Sequence, residues 1–263
     1  MYTNIVTETD LGVGIITLNR PERHNAFDDA LIAELSDAIE RMAANPAVRV
    51  LVLSSTGKSF CAGADLNWMK RAAGYSSEEN LRDSRALAEM LRRLAQCPKP
   101  TVARIQGPAY GGGVGLIACC DIAIATFDAQ FALTEVRLGI IPAVISPHVI
   151  AAIGERYARR YMLTAERFSA AEAYRIGLLH EMVADDESLD EALGEIIDAL
   201  LKNGPRAIAE CKQLIAAVAW KPLSDEVVED TAQRITRLRA SEEGREGMSA
   251  FLEKRKPSWI QAA

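Results

Sequence analysis

Histidine and aromatic residues are scarce: 3 His, 3 Trp, 6 Tyr and 6 Phe in 263 residues. The histidines lie far apart and outside any ligand-spaced motif, so a metal site is not expected. No apolar run nears the ~20 residues that cross a bilayer. The opening MYTNIVTETD lacks a basic segment followed by an apolar one, so it does not read as a signal peptide. A cytoplasmic protein is expected. The 5 cysteines (Cys61, Cys97, Cys119, Cys120, Cys211) are odd in number and lack C-x-x-C spacing. They read as reduced small residues rather than a disulfide or zinc framework. The net charge of −6 argues against a nucleic-acid partner, which needs a concentrated basic face. It leaves an anionic substrate open, because a local potential can oppose the net charge. Redox cofactors have no motif here either.

About half the residues are apolar, ample for a large core. NIVTET (4–9) and VGIITL (13–18) flank the turn DLG and read as a hairpin. DDALIAELSDAIERMAANP places Leu31, Leu35, Ile39 and Met42 at helical spacing behind an aspartate cap and stops before Pro46. VRVLVLSS (48–55) and TVARIQG (101–107) are apolar strands separated by the helix-like SEENLRDSRALAEMLRRLAQC. Strands alternating with helices define an α/β fold. After about residue 185 the strands give way to four amphipathic helical stretches, so a core over 1–195 and a helical region over 196–263 are expected. The apolar faces of those helices call for a partner surface, such as another subunit.

Two loops carry the chemistry. In GPAYGGGVGLIACCDIAIAT (107–126), three consecutive glycines open a helix, and a fourth, Gly115, follows. Amides at a helix N-terminus point outward with partial positive charge, and without Cβ atoms a ligand can approach them. Such donors stabilise a developing oxyanion. Nucleotide readings fail: a P-loop ending in GKS (57–59) would need glycine at Val52, and G-x-G-x-x-G would need one at Ile117 or Ala118. The second loop, SFCAGADL (59–66), also follows a strand and is built of small residues. From spacing alone, tight packing explains these glycines about as well as an oxyanion site.

ITLNRPERHNAF, GKSFCAGADL, IQGPAYGGGVGLIACCDIAIAT, FALTEVRLGIIP, FSAAEAYRIGLLHEMV and FLEKRKPSW, in this order, resemble the enoyl-CoA hydratase/isomerase (crotonase) superfamily over essentially the whole chain. The resemblance implies a spiral of ββα units with a C-terminal helical region that assembles trimers, often paired into hexamers. It implies an acyl-CoA thioester whose carbonyl is held by the backbone amides of Ala64 and Gly112. Coenzyme A would be part of the substrate, with no further cofactor. Arg23, His24, Ala26, Ala62, Asp65 and Leu66 fall where the family meets CoA, and Lys254 could reach its phosphates from the same or a neighbouring chain. Trp68, Met69, Pro142 and His148 join Gly115 as acyl-pocket candidates, with DLNWMKRAA (65–73) a mobile flanking segment.

Two-glutamate hydratases of this family carry one glutamate two residues past the triple glycine and a second about twenty residues later. Here those positions hold Gly115 and Glu135. Glu135, set among FAL and VRLGIIP, is expected to be buried with a raised pKa and to act alone. One reading is a hydratase in which the space left by Gly115 admits a branched acyl chain. The other is a Δ3-Δ2 isomerase using a single base. RLGIIPAVISPHVIAAIGERYARRYMLTAERFSAAEA looks like hydratases of branched glutaconyl-CoA esters such as 3-methylglutaconyl-CoA, whose second carboxylate could meet His148, Arg137, Lys70 or Arg71. Binding without chemistry, as an RNA-binding or catalytically silent relative, is the reading of a different class. The acidic balance and the retained Glu135 weigh against it.

Overall fold

In the computed structural model, which describes residues 2–260, the alternating N-terminus forms the hairpin β1 (Ile5–Asp10) and β2 (Val13–Leu18). Leu11 and Gly12 turn it at φ 44° and 89°, the paired positive values that a tight two-residue hairpin needs. Helix α1 (Asp29–Ala44) starts where the Asp28 carboxylate accepts the Leu31 amide at 2.8 Å, and it buries Leu31, Leu35, Ile39 and Met42. Strand β3 (Val50–Ser55) is buried at every position, as a parallel strand covered on both faces must be. There follow α2 (Leu66–Ala72), α3 (Ser77–Ala95) behind a Ser76/Glu79 capping box, and β4 (Thr101–Ile105).

Next come β5 (Ala109–Tyr110), α4 (Gly112–Cys119), β6 (Ile122–Thr126), β7 (Gln130–Ala132) and a 3-10 turn at Glu135–Leu138. Helix α5 (Ser146–Thr164), β8 (Phe168–Ser169), α6 (Ala170–Arg175) and β9 (Glu181–Val183) complete the core. The main sheet has the order β1-β2-β3-β4-β6-β9 and is parallel except for the first pair. A small second sheet, β5-β7-β8, lies beside it, with Phe131 stacked on Phe168 at 5.7 Å between ring centroids. This is the expected α/β spiral of crotonase type.

Four helices follow: α7 (Asp186–Leu201), α8 (Pro205–Val218), α9 (Asp225–Ala240) and α10 (Glu242–Leu252). Leu189 and Ala192 of α7 pack against Ile124 of β6, so this helix belongs to the core. The division expected between residues 195 and 196 therefore falls inside α7, and the helices that leave the sheet begin with α8. Their flanks expose Ile215, Trp220, Leu223, Phe251 and Leu252. Among the described residues no helix is long and apolar enough to cross a membrane. All five cysteines are free thiols.

Candidate active site

The parallel strands β3 and β4 release their loops at the same end of the sheet, and a third loop, from β2, joins them. Backbone bonds knit the three together. Phe27 N–H donates to Gly63 O at 2.6 Å, Asp65 N–H to Phe27 O at 2.7 Å, Ala62 N–H to His24 O at 2.9 Å and Tyr110 N–H to Cys61 O at 2.9 Å. The fit is so close that a Cβ at Gly113 would stand 2.9 Å from Cys61 Cβ, which is why the second loop and the triple glycine must both be small.

That knitting leaves two amides free. In the parallel bridge between Phe27 and Ala64, Phe27 bonds the residues on either side of Ala64, so the Ala64 N–H faces the other way. Gly112 is the first residue of α4 and has no preceding turn to bond. Neither amide has a hydrogen-bond partner among the described residues.

Glu135 comes to the same place from β7. Its Oε1 would lie 3.0 Å from a Cβ on Gly111, so the carboxyl rests against the glycine turn. Its Oε2 is buried without a hydrogen-bond partner among the described residues. Burial pushes its pKa up, opposed only by its own backbone amide. A carboxyl held this way keeps its proton closer to neutral pH than an exposed glutamate does.

Asp65 is 4% exposed and ties the Ala64 turn down. Its Oδ1 caps α2 by accepting the Asn67 and Trp68 amides at 2.8 and 3.2 Å. Its Oδ2 meets Arg23 Nη1 at 3.0 Å and the buried Arg20 Nη2 at 3.4 Å. Desolvation alone would raise the Asp65 pKa; the Arg23 hydrogen bond and the two amides outweigh it and hold the carboxyl below its usual range. The carboxylate is thus engaged by the protein itself. Arg20 and Asn25 were not singled out in the sequence. Arg20 also reaches Asp28 at 2.9 Å and Ala26 O at 2.8 Å. Asn25, fully buried, accepts from Arg20 N–H at 2.8 Å and donates to Thr56 O and Ser59 O at 2.8 and 2.9 Å. Two strongly polar residues in the loop between an apolar strand and a capped helix were the available signal.

Of the remaining expected residues, Arg23, His24, Ala26, Ala62 and Leu66 gather around this knot. Leu66 is exposed, and His24 Nδ1 lies 3.0 Å from Ser59 Oγ. Lys254 does not join them. The chain after α10 returns to the opposite end of the sheet, where Trp259 O accepts from Arg49, just ahead of β3. A strand of six residues, ~20 Å, separates that end from the site. The adjacent Arg255 is paired with Glu246 and Glu253, both at 2.7 Å.

The segment expected to be mobile is helix α2, pinned by the Asp65 cap and by two side chains. Arg71 pairs with Asp29 at 2.6 Å, which engages one of the candidate partners for a distal carboxylate. Trp68 donates its indole N–H to Asp83 at 3.1 Å and faces a cavity of ≈ 260 Å³ shared with Ile32, Ser36 and Ala86, between α1 and α3. Met69 is half-buried on the same helix, and Pro142 is buried ahead of α5. His148, in the first turn of α5, is half-buried, and burial lowers its pKa. His180 accepts the Ala123 amide at 3.1 Å and serves the β6–β9 junction. No group of three His, Cys, Asp or Glu side chains suited to a metal occurs among the described residues.

The space beside Gly115 is not open. A Cβ there would stand 2.8 Å from Ile145 Cβ and closer still to its Cγ2. Ile145 arrives from the PAVIS segment, thirty residues on, a tertiary contact to which the local sequence gives no clue. The expectation that a missing side chain leaves room for a bulkier acyl group is corrected: the room is filled.

Fold and site together describe a crotonase-type spiral in which two free amides and one half-buried carboxyl come together at the junction of three loops. Comparisons with known proteins narrow this further. The family profile described as enoyl-CoA hydratase/isomerase matches residues 8–262. The crotonyl-CoA hydratase of Syntrophomonas wolfei is 33% identical over 98% of both chains, and the 2,3-dehydroadipyl-CoA hydratase of Escherichia coli 31% over 98% of both. Among solved structures, an enoyl-CoA hydratase from Shewanella pealeana superposes with a TM-score of 0.95 at 45% identity, covering 98% of this chain and 96% of that one. Pseudomonas aeruginosa AtuE gives 0.94 at 38%, covering 98% and 100%. The chain belongs to the enoyl-CoA hydratase/isomerase family.

Proposed function

We propose that this enzyme is an enoyl-CoA hydratase that adds water across the α,β double bond of an acyl-CoA thioester, a branched glutaconyl-CoA on the resemblance of the RLGIIPAVIS segment and not on any room at Gly115, with Glu135 as its only acid–base group. The observation that carries the reading is the half-buried, raised-pKa carboxyl against the glycine turn, with one buried oxygen lacking a partner. Names of relatives such as crotonyl-CoA hydratase and 2,3-dehydroadipyl-CoA hydratase support the reaction class.

In this reading the thioester oxygen lies between the Ala64 and Gly112 amides. Charge that develops on it as the enolate forms meets two N–H donors and the positive end of α4. The Glu135 carboxylate takes a proton from water as the hydroxyl bonds to C3. The same carboxyl then returns that proton to C2, which yields the 3-hydroxyacyl thioester with no net proton change. Arg23, His24, Ala26, Ala62 and Leu66 would contact the CoA, while Asp65 holds the turn. With Arg71 engaged by Asp29, a distal carboxylate is left with Arg137, His148 and Lys70 as partners. Nothing beyond the CoA of the substrate is needed. The exposed apolar flank of α8 to α10 supports assembly into a trimer or a pair of trimers, and a Lys254 contact to CoA would require such a neighbour.

The decisive experiment incubates 3-methylglutaconyl-, crotonyl- and 3-hexenoyl-CoA with enzyme in ¹⁸O-labelled water and weighs the products. Label at C3 supports hydration. A shifted double bond without label would make it an isomerase.

A further inference from the structure

We infer that Ile145 and Gly115 form a paired specificity element: the isoleucine fills the volume in which a side chain at 115 would stand, and it restricts proton traffic at the reacting carbons to Glu135. The inference rests on the reading of Glu135 as the acid–base group and adds the residue that keeps it alone.

Two observations carry it. Gly111 and Gly115 lie one turn apart, with Gly115 N–H donating to Gly111 O at 3.2 Å. A Cβ on the first would meet Glu135 Oε1 at 3.0 Å, and a Cβ on the second Ile145 Cβ at 2.8 Å. Gly111 immediately precedes α4 and Gly115 lies in its first turn, so the carboxyl and the isoleucine both approach the N-terminal end of that helix. Position 115 is where the two-glutamate pattern puts its first carboxylate, so an aliphatic side chain now occupies the place of an acid.

The second observation is local. Ile145 is the N-cap of α5, with φ −84° and ψ −18°, and makes no capping hydrogen bond. Isoleucine is among the poorest N-caps, where Ser, Thr, Asp or Asn would each stabilise the helix start. The place of Ile145 is therefore explained by what it packs against and not by helix capping. Here it is 3% exposed and packed on Gly115 in the first turn of α4, next to the glycine turn against which the acid rests. The sealed flank leaves one group to move the proton, and it keeps water from approaching the reacting carbons from that side.

The test compares Gly115→Glu, Ile145→Gly and the double variant. Gly115→Glu alone should lose soluble protein or melt far below the wild type, because overpacked cores do not absorb a buried side chain. The double variant should recover most of that loss, which is coupling between contacting residues. It should also hydrate crotonyl-CoA at least about tenfold faster than Ile145→Gly alone, since a second carboxylate now flanks the substrate. A Gly115→Glu protein as stable as the double variant would overturn the pairing. So would a folded double variant no faster than Ile145→Gly.

Ile145→Ala keeps the test open if the double variant does not fold. At temperatures well below its midpoint, its kcat should fall about tenfold while KM stays within about twofold. An unchanged kcat overturns the inference. Glu135→Gln separates the two readings: if that variant stays active the acid–base assignment fails, whatever Ile145 does.

Discussion

Replacing Asp65 probes how the free Ala64 amide is held, and the structure gives the magnitude. Asp65→Asn preserves an N-cap for α2 but removes the charge facing Arg20 and Arg23. Hydrogen bonds to charged groups contribute roughly 1.5–3 kcal/mol. Arg20 keeps Asp28 at 2.9 Å and the half-exposed Arg23 can turn to water, so the lower end applies. The expected loss is about 1.5 kcal/mol for asparagine and, with the cap also gone, about 2.5 kcal/mol for alanine. Activity should fall more steeply, because a displacement of about 1 Å at a positioned donor can cost on the order of 100-fold. Urea unfolding at constant m-value reads the first quantity, and kcat with crotonyl-CoA the second. The sign with pH follows from the lowered folded pKa. The wild-type advantage over Asp65→Asn is full above the unfolded value, 3.8, and is lost as pH falls below it. An Asp65→Ala protein within about 0.5 kcal/mol of wild type and with unaltered kcat would refute the reasoning.

Glu135→Gln should abolish turnover while retaining CoA-ester binding, checked by calorimetry with a non-reacting acyl-CoA. Because burial raises the folded pKa above 4.5, wild type loses stability as pH rises from the unfolded to the folded value. The glutamine variant should therefore be the more stable protein at neutral pH, with the gain gone below about pH 4, as thermal melts across pH will show. Gly112→Pro deletes one oxyanion donor, and stopped assays should read a kcat about 100- to 1000-fold lower. Asn25→Ala removes three hydrogen bonds at a site with no exposure, worth about 3 kcal/mol in chemical denaturation.

The order of strands and helices was readable because each long element carries its own signal. β3 is a six-residue apolar run, α1 has an aspartate cap and a helical stripe, and α3 begins with a capping box. The second sheet was not readable: β5 and β8 have two residues each and β7 three, too few for any alternation to register. The glycines announced a place where chain meets chain, and Glu135 announced a carboxyl in apolar company. What they touch was out of reach. Gly115 gave no hint of Ile145, Arg71 none of Asp29, and Trp68 none of Asp83, because each partner comes from a different turn of the spiral. Basic residues near the C-terminus looked available for phosphates until the path of the chain put them at the other end of the sheet.

The knot that joins residue 27 to 63, 61 to 109 and 111 to 135 is drawn from more than a hundred residues of chain. Long-range closures of this kind form late in folding, since each must first repay the entropy of its loop. Regain of turnover after dilution from denaturant should lag behind regain of helical circular dichroism, making the activity itself the strictest witness that refolding is complete.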